Sequence, residues 1–191
     1  MMNIAIYSAF YSTTSITYIK SVIDYLEEKK HIFILVDRLK KHLGSESDKY
    51  NYFKDDEVLS QKVDFLFSVG GDGTLLRSIS IIGDTKIPIL GINAGNLGFL
   101  TTIKRDTLIN GLEMFFDGKY SFVERSLLEV KTKNPIETIE DFGYALNEVS
   151  INRKNTTSML SIDSNLDDQF LTTYWSDGLI IATPTGSTGY S

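Results

Sequence analysis

The sequence predicts an α/β domain with a parallel sheet, followed by an antiparallel, β-rich second domain. Three observations carry that expectation. Short apolar runs at residues 3–8, 31–36, 63–68 and 87–92 alternate with stretches of helical spacing, the pattern that builds a parallel layer. Two of these runs end in small-residue loops, Gly70-Gly71-Asp72-Gly73 and Asn93-Ala94-Gly95-Asn96. In an open parallel sheet such loops at the carboxyl ends of strands are where ligands bind. Beyond Gly118 the spacing changes to successive strand-like runs with turns at Asn134-Pro135 and at residues 165–168. The domains are therefore expected at 1–118 and 119–191, with the site in the cleft between them.

The elements follow in order. Residues 3–8 alternate and then run apolar, which predicts the first strand. Ile16, Ile19, Val22, Ile23 and Leu26 fall at helical spacing between Ser12 and Lys30, so this stretch is an amphipathic helix. A second strand covers 31–36. From Asp37 to Gln61 the pattern is weak: a short helical piece at 38–43, then a polar stretch at 44–56 that reads as a mobile loop or flap. Residues 63–68 are a buried strand, 75–82 a helix and 87–92 another strand. Leu108, Leu112, Phe115 and Phe116 predict a helix over 105–117, stopped by Gly118. Strand-like runs then cover 120–132, 142–153, 158–164, 169–175 and 178–183.

Composition narrows the function classes. A chain of 191 residues with 42% hydrophobic and 23% charged residues has the make-up of a soluble globular protein with a real core. The net charge of −6, without a Lys/Arg cluster longer than a pair, argues against a general nucleic-acid surface. An acidic protein that binds phosphates must do so through local donors or a metal ion. The absence of cysteine excludes disulfides, thiolate metal sites and a cysteine nucleophile. With only His31 and His42, each beside lysine in sequence that reads as exposed, a histidine zinc site or histidine triad is not expected. No run nears the roughly 18 apolar residues of a membrane span, and no signal peptide is evident, so the chain reads as cytoplasmic without a membrane partner.

The stretch Val69-Gly70-Gly71-Asp72-Gly73-Thr74-Leu75-Leu76 joins a strand to a helix. Its glycines let a bulky ligand approach the backbone, and the free N–H groups of a helix start favour an anion there. A carboxylate inside such a cradle is unfavourable unless it holds a metal ion or takes a proton from a nucleophile, which singles out Asp72. A plain strand-to-helix connection with Asp72 as N-cap fits the same residues. Neither the phosphate-loop pattern nor the dinucleotide fingerprint is present. In the second half, Asn147 and Glu148 interrupt an apolar stretch, Asp177 precedes the apolar run 179–182, and residues 183–191 contain five Thr or Ser. Dense hydroxyls suit phosphate or ribose recognition and equally suit a helix N-terminus. Strand-edge polarity is the plain account of Asn147 and Glu148. Adjacent strand residues face opposite ways, so a shared role for this pair predicts a strand end or bulge there.

Taken together, Gly70-Gly71-Asp72-Gly73-Thr74, the segment 93–99, Asn147-Glu148 and the segment 177–191 resemble the bacterial NAD kinase family. The glycine-aspartate turn alone is shared with lipid kinases and phosphofructokinases; the C-terminal segment is far more specific. The resemblance implies transfer of the ATP γ-phosphoryl group to the 2′-hydroxyl of the adenosine ribose of NAD, giving NADP, with Mg²⁺ accompanying ATP. It implies Asp72 as general base, and Gly71, Gly73 and Thr74 along the phosphates with Arg77 as a further contact. It also implies Phe99 beside the NAD adenine, Asn147 and Glu148 on the adenosine, Asp177 toward the nicotinamide, Thr185, Thr188 and Tyr190 closing the pocket, and Asn96, Gly189 and Ser191 as further nucleotide-binding residues. No separate protein-held metal site is implied, and a homodimer or homotetramer is. Gly189 stands where the family more often has alanine. The family continues through further strands, so the resemblance implies a chain truncated at its C-terminus, with an incomplete β-layer and an open edge. A diacylglycerol-type lipid kinase and a non-catalytic NAD(P)-binding module are the alternative readings.

Overall fold

Five strands form one parallel sheet: β1 (Asn3–Tyr7), β2 (Ile32–Val36), β3 (Tyr52–Phe53), β4 (Phe65–Gly70) and β5 (Ile89–Asn93). This computed structural model describes residues 2–60, 62–95, 98–137, 139, 143–154 and 158–189, the Arg105 side chain excepted. Its chain divides into two units, Met1–Val123 and Glu124–Ser191. The sheet, in the first unit, has the order β3-β2-β1-β4-β5. Building outward from β1 through β2 to β3 and then crossing back to β4 puts the change of direction between β1 and β4. Open sheets bind ligands at that switch point, outside the carboxyl ends of the strands. The loop after Tyr7 and the turn after Gly70 both lie there.

The central strands read as apolar runs because both their faces are covered. Ile4, Ala5, Ile6, Leu66, Phe67 and Val69 are buried. Helix α1 (Thr13–Glu28) buries Ile19, Val22, Ile23 and Leu26, as its spacing predicts, and its N-cap Ser12 Oγ accepts the Ser15 N–H at 3.1 Å. The remaining helices are α2 (Lys40–Leu43), α3 (Asp72–Ile82) and α4 (Leu108–Phe116). Helix α4 closes with Gly118 at φ +73, its N–H donating to Phe115 O at 3.0 Å and that of Lys119 to Met114 O at 2.9 Å. Gly118 is thus the left-handed stop that the sequence predicts.

Four expectations need correction. The polar stretch 44–56, read as a flap, contains β3, which pairs with β2 through Leu35↔Tyr52 and Val36↔Phe53; a two-residue edge strand leaves no periodic signal. The strand expected over 120–132 is reduced to β6 (Leu128–Glu129). Its apolar residues are used as anchors instead, Tyr120 stacking on Phe115 at 5.1 Å and Phe122 on Phe65 at 6.2 Å. The helix expected from Leu75 begins at Asp72. The histidines are half-buried and stacked, His31 on Phe116 at 3.8 Å and His42 on Tyr11 at 4.6 Å.

The second unit is antiparallel. Besides β6 it contains β7 (Tyr144–Ala145), β8 (Glu148–Asn152), β9 (Leu160–Leu166), β10 (Gln169–Ser176) and β11 (Gly178–Ala182). They pair as β6–β7, β8–β11 and β9–β10. Leu166 pairs with Gln169 across a two-residue turn in which Asp167 and Asp168 have φ of 48 and 64. Positive φ at both central residues matches the twist of the flanking strands. Among the described residues of this unit the buried hydrophobic side chain is Leu146, while Phe170 and Trp175 are exposed.

Candidate functional site

Gly70, the last residue of β4, turns the chain directly into α3. The N-cap, Gly71, is extended and bears no side chain to accept from the helix, so Asp72 is the first helical residue. The reading of Asp72 as N-cap is therefore not what the fold does with it. Its carboxylate turns away to the loop after β5, where Oδ2 accepts the Phe99 N–H at 2.7 Å and Oδ1 the Leu100 N–H at 3.0 Å. Hydrogen bonds to an ionised acceptor are roughly twice as strong as neutral ones, so this is a firm two-point clamp.

The loop is itself braced. Asn93 is buried at the end of β5, accepts the Gly95 N–H on Oδ1 at 2.8 Å and donates from Nδ2 to Thr101 Oγ1 at 3.1 Å, tying both ends of the loop. Thr102 and Ile103 donate their N–H groups to Gly91 O at 2.8 and 3.0 Å, and the Asn93 N–H returns a bond to Ile103 O at 2.8 Å. Gly91 permits this close return, since a Cβ there would stand 2.9 Å from Thr101 Cα. Phe99 is 99% exposed, which leaves its ring available for stacking.

The turn is open where a ligand would approach. A Cβ built on Gly71 or Gly73 meets nothing within 4 Å, and the N–H groups of Asp72 and Gly73 at the start of α3 have no intrahelical acceptor by helix geometry. Thr74 behaves differently: its side chain is buried, its N–H donates to Gly71 O at 2.9 Å, and its Oγ1 finds no partner among the described residues. Arg77, one turn on, is exposed, forms no ion pair with a described residue, and lies with its guanidinium 5.3 Å from the centre of the Phe10 ring. Tyr7 lies near the same arginine. Burial first, and Asp55 second, push its hydroxyl above the usual range, against the opposing pull of Arg77 and Arg38.

The second unit gathers most of its own motif residues. Asn147 lies outside the strands and Glu148 starts β8, so regular pairing does not run through both, as a shared role requires. Thr183 holds this point to the segment after β11. Its N–H donates to Asn147 O at 2.8 Å, and its hydroxyl donates to Leu146 O while accepting from the Thr185 and Gly186 N–H groups at 3.1 and 3.2 Å. Gly186 packs so closely that a Cβ would stand 2.5 Å from Asn147 C. A Cβ on Gly189 would lie 3.8 Å from Glu148 Oε2 and 3.3 Å from Gly186 O, so an alanine there would fit tightly. Arg125 donates to Thr185 Oγ1 at 3.2 Å, and Thr188 is exposed on the same turn.

Asp177 stands apart from that group. Ala182 pairs with Glu148 and Gly178 with Asn152, which places Asp177 at the far end of the ladder, about 16 Å from Glu148 at ~3.3 Å per strand residue. It is exposed and paired with Arg153, Nη1 to Oδ1 at 3.0 Å. Asn96, Tyr190 and Ser191 lie outside the described residues. Sequence reasoning missed the bracing by Asn93, Thr183 and Arg153; the Thr183-Pro184-Thr185-Gly186 turn signature was the one available signal.

Residues 9–120 match the family described as the ATP-NAD kinase N-terminal domain, and residues 146–191 that described as the ATP-NAD kinase C-terminal domain. The chain is 45% identical over 194 residues to an NAD kinase of Christiangramia forsetii, covering 100% of this chain and 66% of that protein. It is 40% identical over 198 residues to an NAD kinase of Flavobacterium psychrophilum, with the same coverage. The chain thus spans about 66% of the length of these curated relatives. Among solved structures, the yeast NADH kinase complexed with NADH superimposes with a TM-score of 0.81 at 23% identity, over 100% of this chain and 60% of that one. An NAD kinase from Archaeoglobus fulgidus in complex with ATP superimposes with a TM-score of 0.68 at 24% identity, over 99% of this chain and 64% of that one. At these identities the structural likeness speaks for the fold.

Proposed function

Because the chain belongs to the ATP-NAD kinase family, we propose that it is the nucleotide-binding part of an enzyme that phosphorylates NAD at the 2′-hydroxyl of its adenosine ribose, using ATP. The observation that carries this reading is the clamped carboxylate: Asp72 sits at the mouth of a glycine turn with its orientation fixed by the Phe99 and Leu100 N–H groups. Phosphoryl transfer asks mostly for positioning and charge stabilisation, plus an acceptor for one proton. The ribose 2′-oxygen forms the new bond to the γ-phosphorus, the bond from that phosphorus to the bridging oxygen breaks, and ADP departs. The hydroxyl proton passes to Asp72. A carboxylate has about four lone-pair sites, so the two N–H donors leave room for that proton.

The other residues take supporting roles in this reading. Gly71 and Gly73 leave space for the phosphates, the Asp72 and Gly73 N–H groups at the start of α3 face them, and the helix dipole favours their charge. Thr74 contributes from beneath, by shaping the turn. Arg77 meets phosphate oxygens from its perch on Phe10. By family resemblance, Phe99 stacks on the adenine, Asn147 and Glu148 hold the adenosine, Asp177 lies toward the nicotinamide, and Asn96, Thr185, Thr188, Gly189, Tyr190 and Ser191 are further nucleotide contacts. Among the described residues no group of three or more His, Asp or Glu side chains gathers to cage a cation. In this reading Mg²⁺ comes with the ATP phosphates, and Asp72 is the carboxylate that the turn offers it. When bound, that ion would neutralise charge on the transferring group.

Among the described residues no helix is long and apolar enough to cross a membrane, and nothing favours a lipid acceptor. Assembly as a homodimer or homotetramer, and a cytoplasmic location, belong to this proposal on family resemblance. The test is the full-length protein with ATP, Mg²⁺ and NAD. ATP-dependent appearance of NADP is expected. Phosphorylation of diacylglycerol in its place, or nucleotide binding without transfer, would overturn the reading.

A further inference from the structure

We infer that Gly98 is a positioning residue of this site: having no side chain, it allows the loop to bring the Phe99 and Leu100 N–H groups onto Asp72 and so fixes the proton acceptor. The role assigned to the clamp rests on the proposed reaction; the clamp itself does not. A Cβ built on Gly98 would stand 2.7 Å from Asp72 Cγ and 3.0 Å from Oδ2, with Oδ1 nearer still. The three nearest atoms all belong to Asp72. The first obstacle to a side chain at position 98 is thus the Asp72 carboxylate.

The described ends of the loop are tied down. Asn93 ties its two ends, and Gly91 O holds Thr102 and Ile103. The cheaper response to a methyl group at 98 is rotation of the Asp72 side chain, which breaks the bonds from Phe99 at 2.7 Å and Leu100 at 3.0 Å. A proton acceptor must lie within hydrogen-bond reach of its hydroxyl, and a displacement of about 1 Å can cost 10²-fold in rate. Gly98 therefore acts on turnover through Asp72, without touching substrate.

Four forms of the full-length protein test this: unaltered, Gly98→Ala, Asp72→Ala, and both substitutions together. Gly98→Ala is expected to lower the thermal midpoint by about 3–6 °C, as overpacking does. In the Asp72→Ala background, where the colliding carboxylate is gone, the same change is expected to cost nothing. If Gly98→Ala alone fails to fold, recovery of folding in the double variant carries the same meaning. In activity, Gly98→Ala is expected to lower kcat by about 10²-fold with both KM values within two-fold, and to add no further loss on Asp72→Ala. An unchanged kcat, a raised KM with kcat intact, or an additive loss in the double variant would overturn the positioning role. Equal destabilisation in both backgrounds would overturn the clamp. Full activity of Asp72→Ala would reject the proposed base, while the stability comparison would still decide whether Gly98 and Asp72 are coupled.

Discussion

Gly70 and Thr74 occupy one packing space: a Cβ added to the glycine would stand 2.7 Å from Thr74 Cβ and closer still to Oγ1. The last residue of β4 and the first turn of α3 are thereby pressed together, and the turn between them has a single path. That tightness sets Asp72 at the helix start, and it leaves Gly71 and Gly73 bare toward open space.

The glycines of the turn should therefore respond oppositely to alanine. Gly70→Ala is expected to destabilise by about 1–3 kcal/mol, as inserting a methyl into packed structure does. Gly73→Ala meets nothing within 4 Å and gains helix propensity of up to about 1 kcal/mol, so its thermal midpoint should hold or rise. Its NADP-forming activity should fall, because the methyl group occupies the phosphate approach. Melting curves and turnover on the same two variants check the pair of outcomes.

Thr183 and Thr74 offer a second contrast. Thr183 is buried with its hydroxyl donating to Leu146 O and accepting from Thr185 and Gly186; Thr183→Val takes these bonds from Leu146 O and the Thr185 N–H, while the Gly186 N–H keeps Thr183 O at 3.1 Å, and should cost about 1–3 kcal/mol. Thr74 Oγ1 has no partner to lose among the described residues, so Thr74→Val should be neutral or stabilising. Denaturant unfolding of the two variants separates them.

A pH dependence follows from His31. Burial foremost, and the N-terminal charge next, lower its pKa from 6.5. The unfolded chain then binds the proton more readily than the folded one, so this contribution is present above about 6.5 and is lost as pH falls through the lower folded value. His31→Phe keeps the stack on Phe116 and removes the titration. Its thermal midpoint should decline less than that of the unaltered protein between roughly pH 7 and pH 5.

Much of this architecture was legible from residue types alone. Ile19, Val22, Ile23 and Leu26 line the core face of α1 at the spacing that predicted it, and Gly118 ends α4 in the left-handed conformation expected of it. The interruption at Asn147 and Glu148 follows from strand alternation, and β8 indeed starts only at Glu148. What the sequence concealed was made by partners distant in the chain. The groups that hold Asp72 are backbone N–H donors 27 and 28 residues away, and backbone donors carry no residue signature. Tyr120 and Phe122 have strand-forming side chains, yet rings on Phe65 and Phe115 claim them first. The β3 edge is two residues long and owes its existence to β2.

Whether Asp72 accepts the proton of the NAD 2′-hydroxyl is read directly from steady-state NADP formation by full-length Asp72→Asn alongside calorimetric NAD binding. The amide keeps the size of the side chain but gives up its charge and one acceptor. With Asp72 as the base, kcat falls by 10²-fold or more, by the usual worth of a general base, while NAD affinity stays within a few-fold. Undiminished turnover, or a loss confined to NAD affinity, would contradict it.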